Sequence, residues 1–166
     1  MAVYCVPKTD EVLIGDIGDA RRILLIGCPA CANISYSIHR QGDGPILRFT
    51  LTGIKPVCVR DEARRISHLL AQGGASVDSW LPNAPGAVCV LDESARKKLL
   101  KKGRDSDAVI TLSCESGKEN AKSIFPDKKV VCAMNAKGIL RGVMTRRLNN
   151  IYIDKQTIGV LNFNLE

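Results

Sequence analysis

The chain has 166 residues, with 24 Lys and Arg against 17 Asp and Glu, a net charge of +7 at neutral pH. At 45% hydrophobic and 25% charged it falls outside disordered and collagen-like compositions, and its length suits one domain over residues 1–166. It holds seven cysteines, an odd number that excludes complete internal disulfide pairing, beside only seven aromatic residues. The N-terminus lacks a basic region followed by a long apolar run. The most apolar stretch, 23–32, is about half the ~20 residues of a membrane helix and contains Pro29. The expectation is a cytoplasmic protein with no membrane span, where thiols stay reduced and clustered cysteines serve metal or redox chemistry. Basic residues gather at Arg96–Lys98, Lys101–Arg104, Lys128–Lys129 and Arg146–Arg147. Without an RNA-module signature, a zinc finger or an aromatic stacking platform, these read as solvated helix and turn faces, or as a surface for an acidic protein partner or an anionic substrate, and not as a nucleic-acid site.

In chain order, 9–20 predicts a weak helix, and Ile23 to Gly27 a buried strand leading into Cys28 and Pro29. Pro29 suits a first helical position, and Ala30, Ile34 and Ile38 recur at helical spacing. In 42–59, Leu47, Phe49 and Leu51 alternate with polar residues, and this segment reads as an inserted hairpin. Asp61 caps the next helix, with Ala63, Ile66, Leu69 and Leu70 on one face, and 75–81 follows as a strand. After the turn at 83–86, a short extended piece (87–91) carries Cys89 and Asp92 caps a basic helix that Gly103 stops. Ala108 to Leu112 is an apolar strand ending at Cys114, and Ser116 with Glu119 has capping-box spacing for the helix beyond. A strand at 129–133 follows. Residues 143–166 form a C-terminal extension, whose 151–164 part reads as two strands around 154–156. Strand–helix alternation predicts an α/β chain built on a doubly wound, mainly parallel Rossmann-like sheet, with an inserted hairpin and a C-terminal hairpin.

In such sheets ligands sit at the carboxyl ends of the strands. Cys28 and Cys114 arrive there from two separate strands, and Cys31 shares the first helical turn with Cys28. Four cysteinyl sulfurs are the complement of a [4Fe–4S] cluster or a closed zinc site. Cys89 is the best fourth ligand and Cys58 its competitor, while Cys5 and Cys132 read as spare. His39 and His68 read as packing or surface residues, and Asn33 opens a glycosylation sequon that has no meaning in a cytoplasmic chain. Leu112 stands where a phosphate-binding loop before Ser116-Gly117-Lys118 needs Gly, which excludes that motif.

The stretch "DEVLIGDIGDARRILLIGCPAC", with "DAVITLSCESGKENAKSIFPDKKVVCAMNAKGILRG" further on, resembles the methylenetetrahydrofolate reductase C-terminal domain family over roughly 9–142. The resemblance implies an iron–sulfur or zinc-binding subunit working beside a flavin-containing reductase in one-carbon metabolism. By position it places metal ligands at Cys28, Cys31, Cys89 and Cys114. Ser35 stands where many members carry a third early cysteine, and no cysteine follows Cys132, so one metal centre is implied. Three functions follow from these residues. The first is an electron-transfer or accessory subunit with one [4Fe–4S] cluster. The second is a zinc-closed interaction module without redox activity, and the third a thiol enzyme using Cys114 or Cys28. The C-terminal hairpin or the basic helix from Asp92 is expected to meet a protein partner, and a homo-oligomer is compatible with the sequence.

Overall fold

A computed structural model describes residues 2–163. The elements are β1 (Ala2–Pro7), α1 (Asp10–Ile17), β2 (Arg22–Gly27), α2 (Cys31–His39), β3 (Leu47–Thr50), β4 (Gly53–Pro56), α3 (Cys58–Gln72) and β5 (Ser76–Trp80). They continue with α4 (Glu93–Lys102), β6 (Ala108–Leu112), α5 (Glu115–Ile124), β7 (Lys129–Cys132), β8 (Met134–Arg147) and β9 (Asn150–Asn162). Two sheets form. One is parallel, in the order β5-β2-β6-β7, and the other has five strands, in the order β1-β8-β9-β3-β4, with every pairing antiparallel.

This corrects the expectation of a doubly wound, mainly parallel Rossmann-like sheet. Parallel pairing takes four of the nine strands among the described residues, and the larger sheet, antiparallel and strongly curled, takes the other five. The correction arises at the two ends of the chain. Ala2–Pro7 was not anticipated as a strand, yet it pairs with β8 from Leu140 to Met134. The C-terminal region is also a different hairpin from the one expected. Its turn lies at Leu148 and Asn149, with Leu148 at φ 52°, and its two arms are the long β8 and β9. Residues 154–156 are not the turn. Gly142 alone faces residues 155–158 at a register shift in β9. The inserted hairpin does form, as β3 and β4, but its last residues belong to α3, which begins at Cys58 and not after Asp61.

The two central parallel strands, β2 and β6, are largely apolar and buried, as strands covered on both faces must be, whereas the edge strand β5 carries Ser76, Asp78 and Ser79 and is more exposed. Ile23, Leu24, Leu25 and Ile26 are all nearly inaccessible, and so is every residue of β6. Each such Leu or Ile stabilises the fold by roughly 1.5–3 kcal/mol through apolar burial. On one face, Ile17 of α1, Leu69 and Leu70 of α3 and Ile23 of β2 border a cavity of about 180 Å³. On the other, Gly103 after α4 approaches Phe125 and Leu24 so closely that a β-carbon there would fall within 3 Å of both. Arg65 of α3 clamps Asp10 of α1 through two 2.8 Å hydrogen bonds.

Helix α2 joins the two sheets. It packs on β1 of the antiparallel sheet and on α3 of the parallel layer. The outward N–H groups of the edge strand β1 end on α2: that of Val3 on Cys31 Sγ at 3.3 Å, and that of Cys5 on Ser35 Oγ at 3.0 Å. Buried Asn33 makes a second bridge, donating to the Ile46 carbonyl at 2.8 Å and accepting from the Val59 N–H at 3.0 Å. No helix among the described residues is long and apolar enough to cross a membrane.

Candidate metal centre

Strand β2 lies between β5 and β6, and the connection leaving β2 runs to β5 while that leaving β6 runs the opposite way, to β7. Connections that diverge from adjacent parallel strands open a crevice at their carboxyl ends. The helices α2 and α5 begin at that crevice. Gly27 pairs with Leu112, and Cys28 N–H donates to the Leu112 carbonyl at 2.9 Å, which holds the ends of β2 and β6 level. Cys28 and Cys114 therefore emerge side by side, and Cys31 opens α2 beside them. Pro29 and Ala30 stay outside the helix, with Ala30 as its cap, so the first helical residue is Cys31, two residues after Pro29, where the sequence places it.

Cys114 is itself the cap residue of α5, so that helix starts at Glu115 and the Ser116–Glu119 capping box is not made; Glu119 pairs with Lys122 instead. The Cys114 side chain makes no cap hydrogen bond; Gly117 N–H donates to the Cys114 carbonyl at 3.0 Å, and the Cys31 thiol and the backbone N–H groups of Ser116 and Gly117 lie near the sulfur. The Cys31 thiol first, and those N–H groups against the opposing effect of burial, draw Cys114 well below its ordinary pKa. Donating to Cys114, Cys31 is driven up. Cys28 is raised by burial, against N–H donation from Val88 and Ala30. Cys114 and Cys89 lie within electrostatic range of Cys28.

Cys89 sits on an exposed turn bridged between Ala87 and Val90. The turn is anchored by Val88, whose side chain is fully buried and whose carbonyl accepts from Asn120 Nδ2 of α5 at 2.6 Å. The structure therefore brings Cys28, Cys31 and Cys114 to one crevice, and Cys89 lies on the exposed turn within electrostatic range of Cys28. Cys58 is elsewhere. It packs under Arg40, whose guanidinium donates to its sulfur at 3.3 Å, and burial pushes its thiol up to about 11. Buried Cys132 donates to the carbonyls of Ser113 and Met134. Cys5 is buried behind the site, its thiol pushed up to about 12 by burial and by Cys114, Cys132 and Cys28. His39 stacks on Tyr4, with ring centroids 5.6 Å apart.

Sequence reasoning missed the residues that surround the cysteines: Val3, whose N–H reaches Cys31 Sγ, Ser113, whose carbonyl accepts from Cys132, and Val88, Gly117 and Asn120 about the Cys89 turn and the start of α5. The short run of β-branched and aromatic residues Val3, Tyr4 and Val6 before Pro7 carries the strand signal that would have found Val3. Gly117 is required by crowding, since a β-carbon there would lie 2.6 Å from Ser113 Oγ.

As the side chains stand, no group of three or more His, Cys, Asp or Glu residues among the described residues is closed around a metal position. The donor chemistry nevertheless fits a thiophilic ion. Three cysteine sulfurs meet at one crevice; the Cys114 thiol is drawn toward its charged form, and Cys31 Sγ accepts the Val3 N–H at 3.3 Å. Three adjacent thiolates repel one another, and a cation removes that repulsion. No protein-family model matches this chain, and no curated protein or solved structure does either.

Proposed function

We propose that the chain is a cytoplasmic electron-transfer or accessory subunit holding one [4Fe–4S] cluster through Cys28, Cys31, Cys114 and Cys89. Its partner in this reading is a flavin-containing reductase of one-carbon metabolism, the role implied by the resemblance to the methylenetetrahydrofolate reductase C-terminal domain family. The observation that carries the metal site is the arrival of Cys28, Cys31 and Cys114 at one crevice, where the ends of β2 and β6 are held level and the Cys114 thiol is drawn toward its charged form. Bound there, a [4Fe–4S] cluster supplies one-electron transfer. The chain's part is to bring the sulfurs together and to limit water. Val3 donates its N–H to Cys31 Sγ, and the start of α5 draws the Cys114 thiol toward its charged form. Hydrogen bonds to sulfur and burial are the levers that set a cluster's potential. Buried Val88, Leu112 and Cys5 close the inner side, and the exposed Cys89 turn leaves one side open to a partner.

Anaerobic reconstitution of the full chain with iron and sulfide tests the reading. The expected result is about four irons and four sulfides per chain, with a broad visible absorption that dithionite bleaches. Cys28→Ser, Cys31→Ser and Cys114→Ser abolish it, whereas Cys58→Ser keeps it. Stoichiometric zinc in a colourless protein that takes up no iron would instead establish the zinc-closed interaction module, and uptake of neither metal would overturn the site.

A further inference from the structure

The antiparallel sheet has an unfinished edge. Strand β1 pairs with β8 only from Met134 to Leu140, and from Arg141 to Arg147 β8 has β9 on one side and no partner among the described residues on the other. All seven of those residues are exposed, Val143 and Met144 included. We propose that this edge is a docking site for an extended acidic segment of a partner protein, which adds a strand in line with β1. The inference is independent of the metal-site reading.

Three observations support it. The first is backbone direction. Val143 N–H turns toward β9, where it donates to Thr157 Oγ1 at 2.9 Å, and the two-residue turn pairs Arg147 with Asn150. In antiparallel pairing N–H groups alternate sides, so those of Gly142, Met144 and Arg146 face the open edge, a ready template for another strand.

The second is a cavity of about 240 Å³ at the point where β1 stops, bounded by Ala2, Ile34, Leu140, Met144 and Ile153. Side chains of a strand point alternately to its two faces, so a strand continuing the line of β1 brings every second residue to this face. One apolar side chain of the incoming segment fills the cavity, between α2 and the sheet.

The third is charge. From Lys137 to Arg147, β8 carries Lys137, Arg141, Arg146 and Arg147 and no acidic residue. Arg146 and Arg147 lie over the rings of Phe49 and Tyr152, which keeps both guanidinium groups at the sheet surface. Opposite charges across strands are favourable and like charges are not. Two copies of this chain pairing edge to edge about Val143 and Met144 would set Arg141 against Arg146 or Arg147, so self-association is disfavoured and an acidic partner fits.

The test is fluorescence anisotropy of the full chain with a labelled nine-residue probe that alternates Glu with Val. Binding is expected, and a Lys–Val version of the probe should bind at least tenfold more weakly. A probe N-methylated at alternate residues keeps its side chains but cannot pair with an edge, and it too should lose at least tenfold. Arg141→Glu with Arg147→Glu should weaken the Glu–Val probe by a similar factor, while Lys97→Glu with Lys101→Glu on α4 leaves it unchanged. Amide exchange provides a check that does not depend on the variants folding: the Met144 and Arg146 amides should slow on binding. Equal binding of the methylated probe, equal loss from the α4 variant, no binding, or a dimer through this edge that the probe does not displace would each overturn the proposal.

Discussion

Replacing Asn33 with Ala should expose how α2, and with it Cys31, is locked to the rest of the fold. Asn33 is fully buried, and its amide makes two hydrogen bonds to backbone groups of other elements. Val59 is the second residue of α3, so its N–H is one of the unpaired donors at a helix start. Val57, the cap residue of that helix, supplies no side-chain hydrogen bond, and Asn33 Oδ1 caps the helix from α2 instead. In Asn33→Ala the Val59 N–H loses its partner in a fully buried position, which costs about 1–3 kcal/mol. The Ile46 carbonyl keeps a hydrogen bond from Val57 N–H at 2.9 Å, so its loss is nearer the net value of one bond, about 1 kcal/mol. Together these give about 3 kcal/mol, which for a chain of this length lowers Tm by roughly 6–12 °C. Urea and thermal unfolding of the variant beside the native chain would measure it. A loss below about 0.5 kcal/mol would refute the reasoning, because it would mean that the Val59 N–H finds another partner at no cost.

Gly117→Ala should destabilise by about 1–3 kcal/mol through overpacking, since the new methyl would lie 2.6 Å from Ser113 Oγ and 2.7 Å from Ser113 Cβ. Relief of that clash shifts the first turn of α5 away from Cys114, so in metal-free protein the pH midpoint for alkylation of Cys114, followed by mass spectrometry, should rise. An unchanged midpoint would show that the Ser116 and Gly117 N–H groups do not hold the thiolate. Asp107 binds the side chain of Arg22 and the backbone N–H groups of Arg21 and Arg22, and the Arg22 guanidinium foremost holds its carboxyl down, from 3.8 to about 2. A carboxyl with a lowered folded pKa contributes stability that is present above its unfolded pKa and is lost as pH falls through the folded one. Asp107→Ala should therefore be less stable than the native chain at pH 7, with the difference shrinking as pH drops from about 4 to about 2. A pH-independent difference would contradict this.

Local signals in the sequence settled much of the parallel layer. Unbroken aliphatic runs at Ile23–Ile26 and Ala108–Leu112 have one stable location, between two helical layers, and the Cys28 and Cys114 positions follow from where those runs end. Helices were expected after both runs, but their first residues were not legible: α2 begins at Cys31 and α5 at Glu115. Asp92 was legible as the cap of α4 because its side-chain oxygen accepts from the N–H of Ala95, only three residues on. The antiparallel sheet was decided by tertiary structure. From Arg141 onward β8 is exposed on both faces, so it shows no alternation to read, and it is a strand only because β9 folds back on it. The same is true of the site. Four cysteines could be nominated from spacing, but Val3 is 28 residues from Cys31 and Asn120 is 32 from Val88. Hydrogen bonds over such separations leave no local pattern, so the charge environment of the sulfurs emerges only when β1, the Cys89 turn and α5 close on the crevice.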